Sequence, residues 1–185
     1  RASYDAAAAT LGEGQFDQLV PRAGDRIPQS VYVDLRRAGW LVSPILDVTF
    51  KGVRFVGIDP LTTPTQMSFS SDAGFSLDDT DLIFGNAKVA SLLEGFVEVT
   101  IDNSSPPGLA IADIGVVQRL FKRNDLSRLM ISPEQPIRRP DLVAIAPELV
   151  VQPSQQIADV AALTDSFHLN LTAFGFLSFA VGLFI

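Results

Sequence analysis

The sequence contains no cysteine and only one histidine, which excludes several kinds of chemistry. Without cysteine the chain forms no disulfide, offers no thiolate nucleophile and ligates no metal through sulfur. A catalytic triad that depends on histidine would have to be built on His168. That residue borders a long apolar stretch, where a polar interfacial side chain is a common finding. We therefore do not predict a catalytic role for His168.

Motifs that bind nucleotides or activate a serine are also missing. The sequence has no Walker A motif, no G-x-G-x-x-G and no G-x-S-x-G. Positive charge is scarce as well, since 14 Lys and Arg stand against 21 Asp and Glu, for a net charge of −7. An acidic surface repels the phosphates of nucleic acids. We predict no cofactor, no catalytic residues and no nucleic-acid partner.

Alternation of apolar and polar residues predicts several short strands. Trp40–Lys51 and Val53–Ile58 flank a turn at Gly52, which is typical of a β-hairpin. Pro44 predicts an edge or a bulge in the first half of that hairpin. Phe96–Ile101, with the sequence FVEVTI, has the cleanest alternation. The other predicted strands are Gln15–Val20, Leu82–Phe84, Leu109–Ala112, Leu126–Ile131 and Leu149–Gln152.

Apolar residues three and four positions apart predict helices between these strands. We expect helices over Pro28–Arg37 and Ala87–Leu93, a third helix capped by Asp113, and a helical turn over Asp141–Ala146. The predicted fold class is therefore α+β, with mixed, largely antiparallel short strands and helices packed against them. Hydrophobic residues make up 47% of the chain, which is enough to build a sizeable core.

Clustered carboxylates make one loop a candidate metal site. Asp78, Asp79 and Asp81 lie in a segment rich in Ser, Thr and Asp, and calcium is bound by such oxygen ligands. Their spacing does not match an EF-hand, which requires Gly and Glu at fixed offsets. An acidic loop that caps the next segment is the alternative interpretation, and the one we favour.

The end of the chain becomes strongly apolar. Gln155–Leu171 has helical spacing with Asp and His among its apolar residues, whereas nothing from Leu169 to Ile185 ionises. We interpret this stretch as a linking helix that runs into a transmembrane segment. The residues assigned to the membrane or to its coupling with the domain are Phe167, Leu171, Phe174, Gly175, Phe176, Phe179 and Gly182. A buried core helix of a soluble protein is the alternative.

The apolar stretch also suggests how the chain is divided. A bilayer crossing needs about 20 apolar residues, so we expect the transmembrane helix to continue beyond Ile185. Because Arg1 is not a Met, we also expect residues before it. Residues 1–154 would then form an extracytoplasmic α+β domain, either as one unit or as two subdomains that share a core. Residues 155–185 would form the linking helix and the start of a transmembrane helix.

Three stretches resemble segments of one known family. Leu109–Ile131, LAIADIGVVQRLFKRNDLSRLMI, is similar to a strand that ends in "AD", a helix with "QRL" and a return strand in FtsX-like permeases of ABC transporters. Thr164–Ile185 resembles the entry to the next transmembrane helix of those proteins. Val53–Leu61, VRFVGIDPL, is similar to the end of a hairpin in their MacB-like periplasmic core domain.

The resemblance implies a function without catalysis. The chain would be the periplasmic domain of a permease in the inner membrane, and would transmit ATP-driven movement to a lipid, a lipoprotein or a small toxic molecule. Its implied partners are a cytoplasmic ABC ATPase subunit, a second permease copy and a periplasmic or outer-membrane protein. The alternative is a soluble metal-dependent hydrolase or binding protein that uses the loop from Asp78 to Asp81.

Overall fold

The computed structural model describes residues 14–63 and 82–154. Within these ranges the chain forms ten strands and four helices in a mixed α+β order. The order is β1 (Gln18–Pro21), β2 (Ile27–Pro28), α1 (Gln29–Arg37), β3 (Val42–Phe50), β4 (Val53–Ile58), β5 (Ile83–Gly85), α2 (Ala87–Leu93), β6 (Thr100–Ile101), β7 (Leu109–Asp113), α3 (Ile114–Phe121), β8 (Asp125–Leu126), β9 (Arg128–Ile131), α4 (Leu142–Ile145) and β10 (Leu149–Gln152).

Most strands of the described residues join one sheet in the order β10-β1-β9-β3-β4-β7-β5-β6. Its pairs are antiparallel except β4–β7 and β5–β6, which are parallel. The small strands β2 and β8 pair separately. The predicted hairpin is confirmed, because β3 and β4 pair antiparallel around the turn at Lys51 and Gly52. The predicted fold class is confirmed in the same ranges.

All four described helices pack on one face of the sheet. α2 and α3 cover a cluster that includes Leu46 and Phe55, while α1 and α4 cover a second cluster around Leu129. Gly57 lets α3 approach closely, since a Cβ at this position would lie 3.0 Å from the Ile114 Cα. The opposite face carries a third apolar cluster, which includes Ile45. Side chains alternate along a strand, so consecutive residues of β3 serve different faces.

Local capping explains where two helices begin. The Asp113 side chain accepts a hydrogen bond from the backbone N of Gly115, as predicted for the cap of α3. The Asn86 side chain accepts one from the backbone N of Val89 and caps α2 in the same way. These side chains satisfy donors that the first helical turn leaves without an intrahelical acceptor.

The strand predicted with the cleanest alternation is shorter than expected. Only Thr100 and Ile101 of the segment 96–101 pair in the sheet. Upstream, the backbone N atoms of Phe96 and Val97 donate to the Leu93 oxygen at 2.9 and 3.2 Å. The end of α2 therefore uses the backbone groups that a strand ladder would need.

Two further predictions about strands are corrected in detail. The strand predicted over 126–131 is divided at Ser127 into β8 and β9. The prediction of an edge at Pro44 is wrong for the strand as a whole, because β3 lies between β9 and β4 in the sheet. At Pro44 itself, however, only β9 is paired, because the pairing with β4 begins at Ile45. Proline cannot donate to a ladder, so it suits this one-sided position.

Candidate coupling site at the chain ends

The residues singled out for metal binding lie outside the part of the chain that the structure describes. These residues are Asp78, Asp79 and Asp81. In residues 14–63 and 82–154, no three His, Asp or Glu side chains come together in a group that could hold a metal ion. The metal hypothesis therefore remains a prediction from the sequence.

The residues assigned to the membrane also lie outside the described ranges. They are Phe167, Leu171, Phe174, Gly175, Phe176, Phe179 and Gly182, together with His168. None of the helices in residues 14–63 and 82–154 combines the length and the apolar character that a bilayer crossing requires. The linking helix and the transmembrane segment remain predictions.

The described structure brings its own two chain ends together. The backbone N of Ser154 donates to the Asp17 Oδ1 at 2.8 Å, across 137 residues of sequence. The backbone oxygen of Asp17 accepts from the Ile131 N at 2.8 Å, so the same residue also holds the end of β9. Ser154 is buried, with 4% of its surface exposed. Asp17 and Ser154 form what we call the chain-end contact.

A pair of strands extends the chain-end contact into the sheet. β1 and β10 pair antiparallel, with Gln18 opposite Gln152 and Pro21 opposite Leu149. The far end of the pair is held by Arg22, whose Nε donates to the Pro147 oxygen at 2.9 Å. β1 also pairs with β9, which lies next to the long central hairpin. Asp17 and Ser154 therefore lie next to paired strands of the sheet.

The loop at 132–140 lies beside the chain-end contact and is held firmly. Gln135 makes two hydrogen bonds with the backbone of Leu41, at 3.1 Å to its N and at 2.5 Å to its oxygen. The Trp40 Nε1 donates to the Pro140 oxygen at 3.1 Å, and the Arg139 guanidinium lies 4.4 Å from the centroid of the Trp40 ring. Arg139 therefore packs on an aromatic ring instead of projecting freely into solvent.

A buried ionic network occupies the face of the sheet opposite the helices. The Asp47 carboxylate accepts from the Arg54 Nε at 2.5 Å and from its Nη2 at 2.8 Å, and its Oδ2 also accepts from the Arg128 Nη1. The side chains of Arg54 and Arg128 are each 14% exposed. Such paired contacts between arginine and carboxylate fix both the distance and the orientation of the groups.

The network explains the ionisation of Asp47 and the break between β8 and β9. Burial raises the pKa of Asp47, but the hydrogen bond from Arg54 and the charges of Arg128 and Arg54 outweigh burial, so the pKa lies below its ordinary value of 3.8. At the break, the Ser127 hydroxyl accepts from the Asp47 N and from the Arg26 Nη1, each at 2.8 Å. Ser127 thus ties the two strands to the network.

Neither the ionic network around Asp47 nor the chain-end contact was predicted from the sequence. One signal was available: Asp47 and Arg54 are charged residues inside apolar strands on the two sides of one hairpin. Charged residues are rarely buried without a partner, so their position predicts a cross-strand pair. No comparable signal exists for Asp17 and Ser154, because residues that far apart meet only when the whole sheet is assembled.

Comparisons with known proteins give similarities of fold. No family model matches the chain, and no curated protein matches it. The periplasmic region of MacB from Actinobacillus actinomycetemcomitans is similar over 84% of this chain and 95% of its own, at 10% identity and a TM-score of 0.49. The extracellular domain of the noncanonic ABC-type transporter YknZ from Gram-positive bacteria is similar over 69% and 86%, at 11% identity and a TM-score of 0.40. The first of these is a periplasmic region and the second an extracellular domain.

Proposed function

We propose that the chain is the extracytoplasmic domain of an FtsX-like ABC-transporter permease, and that it transmits ATP-driven conformational change across the inner membrane. The observation that carries this proposal is the chain-end contact, in which the Ser154 N meets the Asp17 Oδ1 at 2.8 Å. A domain inserted between two neighbouring membrane helices needs its entrance and its exit side by side. Asp17 and Ser154 have this arrangement, and they flank the paired strands β1 and β10.

The strand pairing supports transmission of movement as well as insertion. β1 lies between β10 and β9, so Asp17 and Ser154 adjoin strands of the sheet. In this proposal residues 1–154 are the moving domain, and residues 155–185 link it to the membrane through the apolar stretch that contains Phe174 and Phe179. The driving ATP hydrolysis belongs to a cytoplasmic ATPase subunit. A second permease copy and an envelope partner complete the assembly, which acts on a lipid, a lipoprotein or a small toxic molecule.

We expect the described domain to be accessible from outside the inner membrane. Ile137 is fully exposed, and a cysteine in its place would be the only thiol in these 185 residues. In spheroplasts that express the full-length protein, a membrane-impermeant maleimide should label Ile137→Cys. As a control, Val56→Cys at a position with 0% exposure should react only after denaturation. Labelling of Ile137→Cys only after the membrane is permeabilised would contradict the proposed location.

The chain-end contact should be needed for coupling. Asp17→Ala leaves the buried Ser154 N without its acceptor, at a local cost of about 1–3 kcal/mol. We expect Asp17→Ala to reduce transport per ATP hydrolysed in the reconstituted transporter. Gln18→Cys with Gln152→Cys joins directly opposite residues of β1 and β10, which lie about 5 Å apart in such a pair and are within reach of a disulfide. Oxidation of this pair in the Asp17→Ala background should restore coupling.

The control for this experiment is Asp25→Ala, which removes a carboxylate that is 89% exposed. Coupling should remain unchanged in this variant. If Asp17→Ala couples as well as the wild type, or if the oxidised disulfide does not rescue it, the chain-end contact does not transmit movement. If the disulfide fails to rescue coupling but maleimide labels Ile137→Cys normally, only the proposed transmission of movement is overturned. The proposed location outside the inner membrane then stands.

A further inference from the structure

The segment from Phe96 to Ile101 has the sequence of a strand but little of the pairing. Within the described residues, β6 is the last strand of the sheet and pairs only with β5. Val97, Glu98 and Val99 lead into it and have no strand partner among residues 14–63 and 82–154. Segments whose sequence predicts a structure that they do not form are often found at functional sites. An edge of this kind is also a template for pairing with another chain.

An open groove follows the same segment. Its volume is about 460 Å³. It is lined by Ala90, Glu94, Gly95, Phe96, Val97, Glu98 and Val99. Apolar side chains next to it remain accessible, with Phe96 exposed to 36% and Ile101 to 56%. The groove therefore combines apolar surface with a strand edge that no other described strand pairs with.

The charges of the groove determine which partner suits it. The two charged residues among those that line it are Glu94 and Glu98. Lys51 contacts the Phe96 ring, with its Nζ 5.8 Å from the centroid, but is not among the lining residues. Two copies of this chain meeting groove to groove would place the acidic side chains Glu94 and Glu98 of one copy near those of the other, and like charges at such a contact are destabilising. A lysine or arginine in the occupant would be stabilised instead.

We propose that β6 and the groove beside it bind an extended segment of a partner protein that alternates basic and apolar residues. The segment adds a strand to the edge of β6, and its backbone supplies the hydrogen bonds. Its apolar side chains contact Phe96 and Val99, and its basic side chains face Glu94 and Glu98. β6 and the chain-end contact lie at opposite edges of the eight-stranded sheet, roughly 30 Å apart at the usual strand spacing. The proposal does not depend on the proposed transport function.

The test uses the 185-residue chain and a fluorescein-labelled peptide, Lys-Val-Lys-Val-Lys-Val-Lys, followed by fluorescence anisotropy. We expect the basic peptide to bind at least about tenfold more tightly than Glu-Val-Glu-Val-Glu-Val-Glu, because only the basic one complements the groove. A basic peptide with alternate amides N-methylated keeps its charge but cannot pair along the strand edge. Its affinity should fall by about tenfold or more.

Charge variants locate the site. Glu98→Lys should weaken binding of the basic peptide by about tenfold, whereas Glu134→Lys, with the same change in net charge on the exposed loop at 132–140, should leave it unchanged. Circular dichroism should show that both variants are folded. Three results would each overturn the proposal. The first is an equal loss of affinity in the two variants, and the second is equal affinity for the N-methylated and the unmodified basic peptide. The third is no binding of the basic peptide up to about 1 mM.

Discussion

Asp47→Ala should destabilise the domain by about 3 kcal/mol or more, because it removes the carboxylate shared by Arg54 and Arg128. Both arginine side chains are only 14% exposed, so the substitution leaves two largely buried positive charges without this counter-charge. Breaking a buried ion pair by removing one partner typically costs about 3–5 kcal/mol. Urea denaturation followed by the fluorescence of Trp40, the only tryptophan, measures the free energy of unfolding.

Two variants separate the ionic effect from the loss of a side chain. Asp47→Asn keeps the shape and removes the charge, and we expect it to lose most of the same stability. Asp25→Ala removes a carboxylate that is 89% exposed and lies 3.7 Å from Arg26, so its effect should stay within about 0.5 kcal/mol. An Asp47→Asn variant as stable as the wild type would show that the charge of Asp47 does not stabilise the fold.

The stability difference between the wild type and Asp47→Asn should depend on pH. The pKa of Asp47 in the folded state lies below its ordinary value of 3.8. The stability that comes from ionised Asp47 is therefore complete well above pH 3.8 and is lost as the pH falls through the lowered pKa. Denaturation at pH 7, 5 and 3 should show a constant difference at the first two values and a smaller one at pH 3. A difference that grows on acidification would contradict this ionisation.

Phe55→Ala should lower the free energy of unfolding by about as much as Asp47→Ala does. The cause in this case is lost packing rather than lost charge. Phe55 is fully buried on β4, and its ring lies edge-on to that of Phe121, with the centroids 5.0 Å apart. Phe121 belongs to α3, so the pair joins the helix to the sheet. Truncating a buried phenylalanine to alanine costs about 3–5 kcal/mol, because transfer energy is lost and a cavity remains. The free energy of unfolding from urea denaturation tests this value.

Two control variants test whether the effect of Phe55→Ala comes from the loss of buried volume. Phe55→Leu keeps most of the apolar contact and should cost clearly less than Phe55→Ala. Val143→Ala, at a position that is 63% exposed, should change the free energy of unfolding by less than about 0.5 kcal/mol. If Phe55→Ala were no worse than Val143→Ala, the contact between α3 and the sheet would not be a major source of stability.

Local patterns predicted most of the helices and strands correctly. β4 and β10 begin and end where alternation and flanking turns place them, and α2 and the cap of α3 follow their residue preferences. These features depend on residues within a few positions of one another. The hairpin of β3 and β4 is equally local, since its two strands are joined at Lys51 and Gly52.

The failures arise where hydrogen bonds outside the strand ladder, local or distant, engage residues that have a strand sequence. Phe96 and Val97 have a strand sequence, yet their N atoms bond to Leu93 at the end of α2. Ser127 interrupts a regular apolar run because its hydroxyl is bonded to Asp47, 80 residues away in the sequence. Propensity is a weak preference in each case: a local helix end decides the outcome at Phe96 and Val97, and a tertiary contact decides it at Ser127.

By itself the sequence determined the α+β composition, the acidic surface, the absence of cysteine chemistry and a resemblance to the extracytoplasmic domains of permeases. Only the tertiary structure decided the order of the sheet, the network around Asp47 and the meeting of Asp17 with Ser154. The physical reason is the range of the interactions. Periodicity and capping act over a few residues, whereas strand order and the chain-end contact depend on which surfaces pack best once the whole chain is folded.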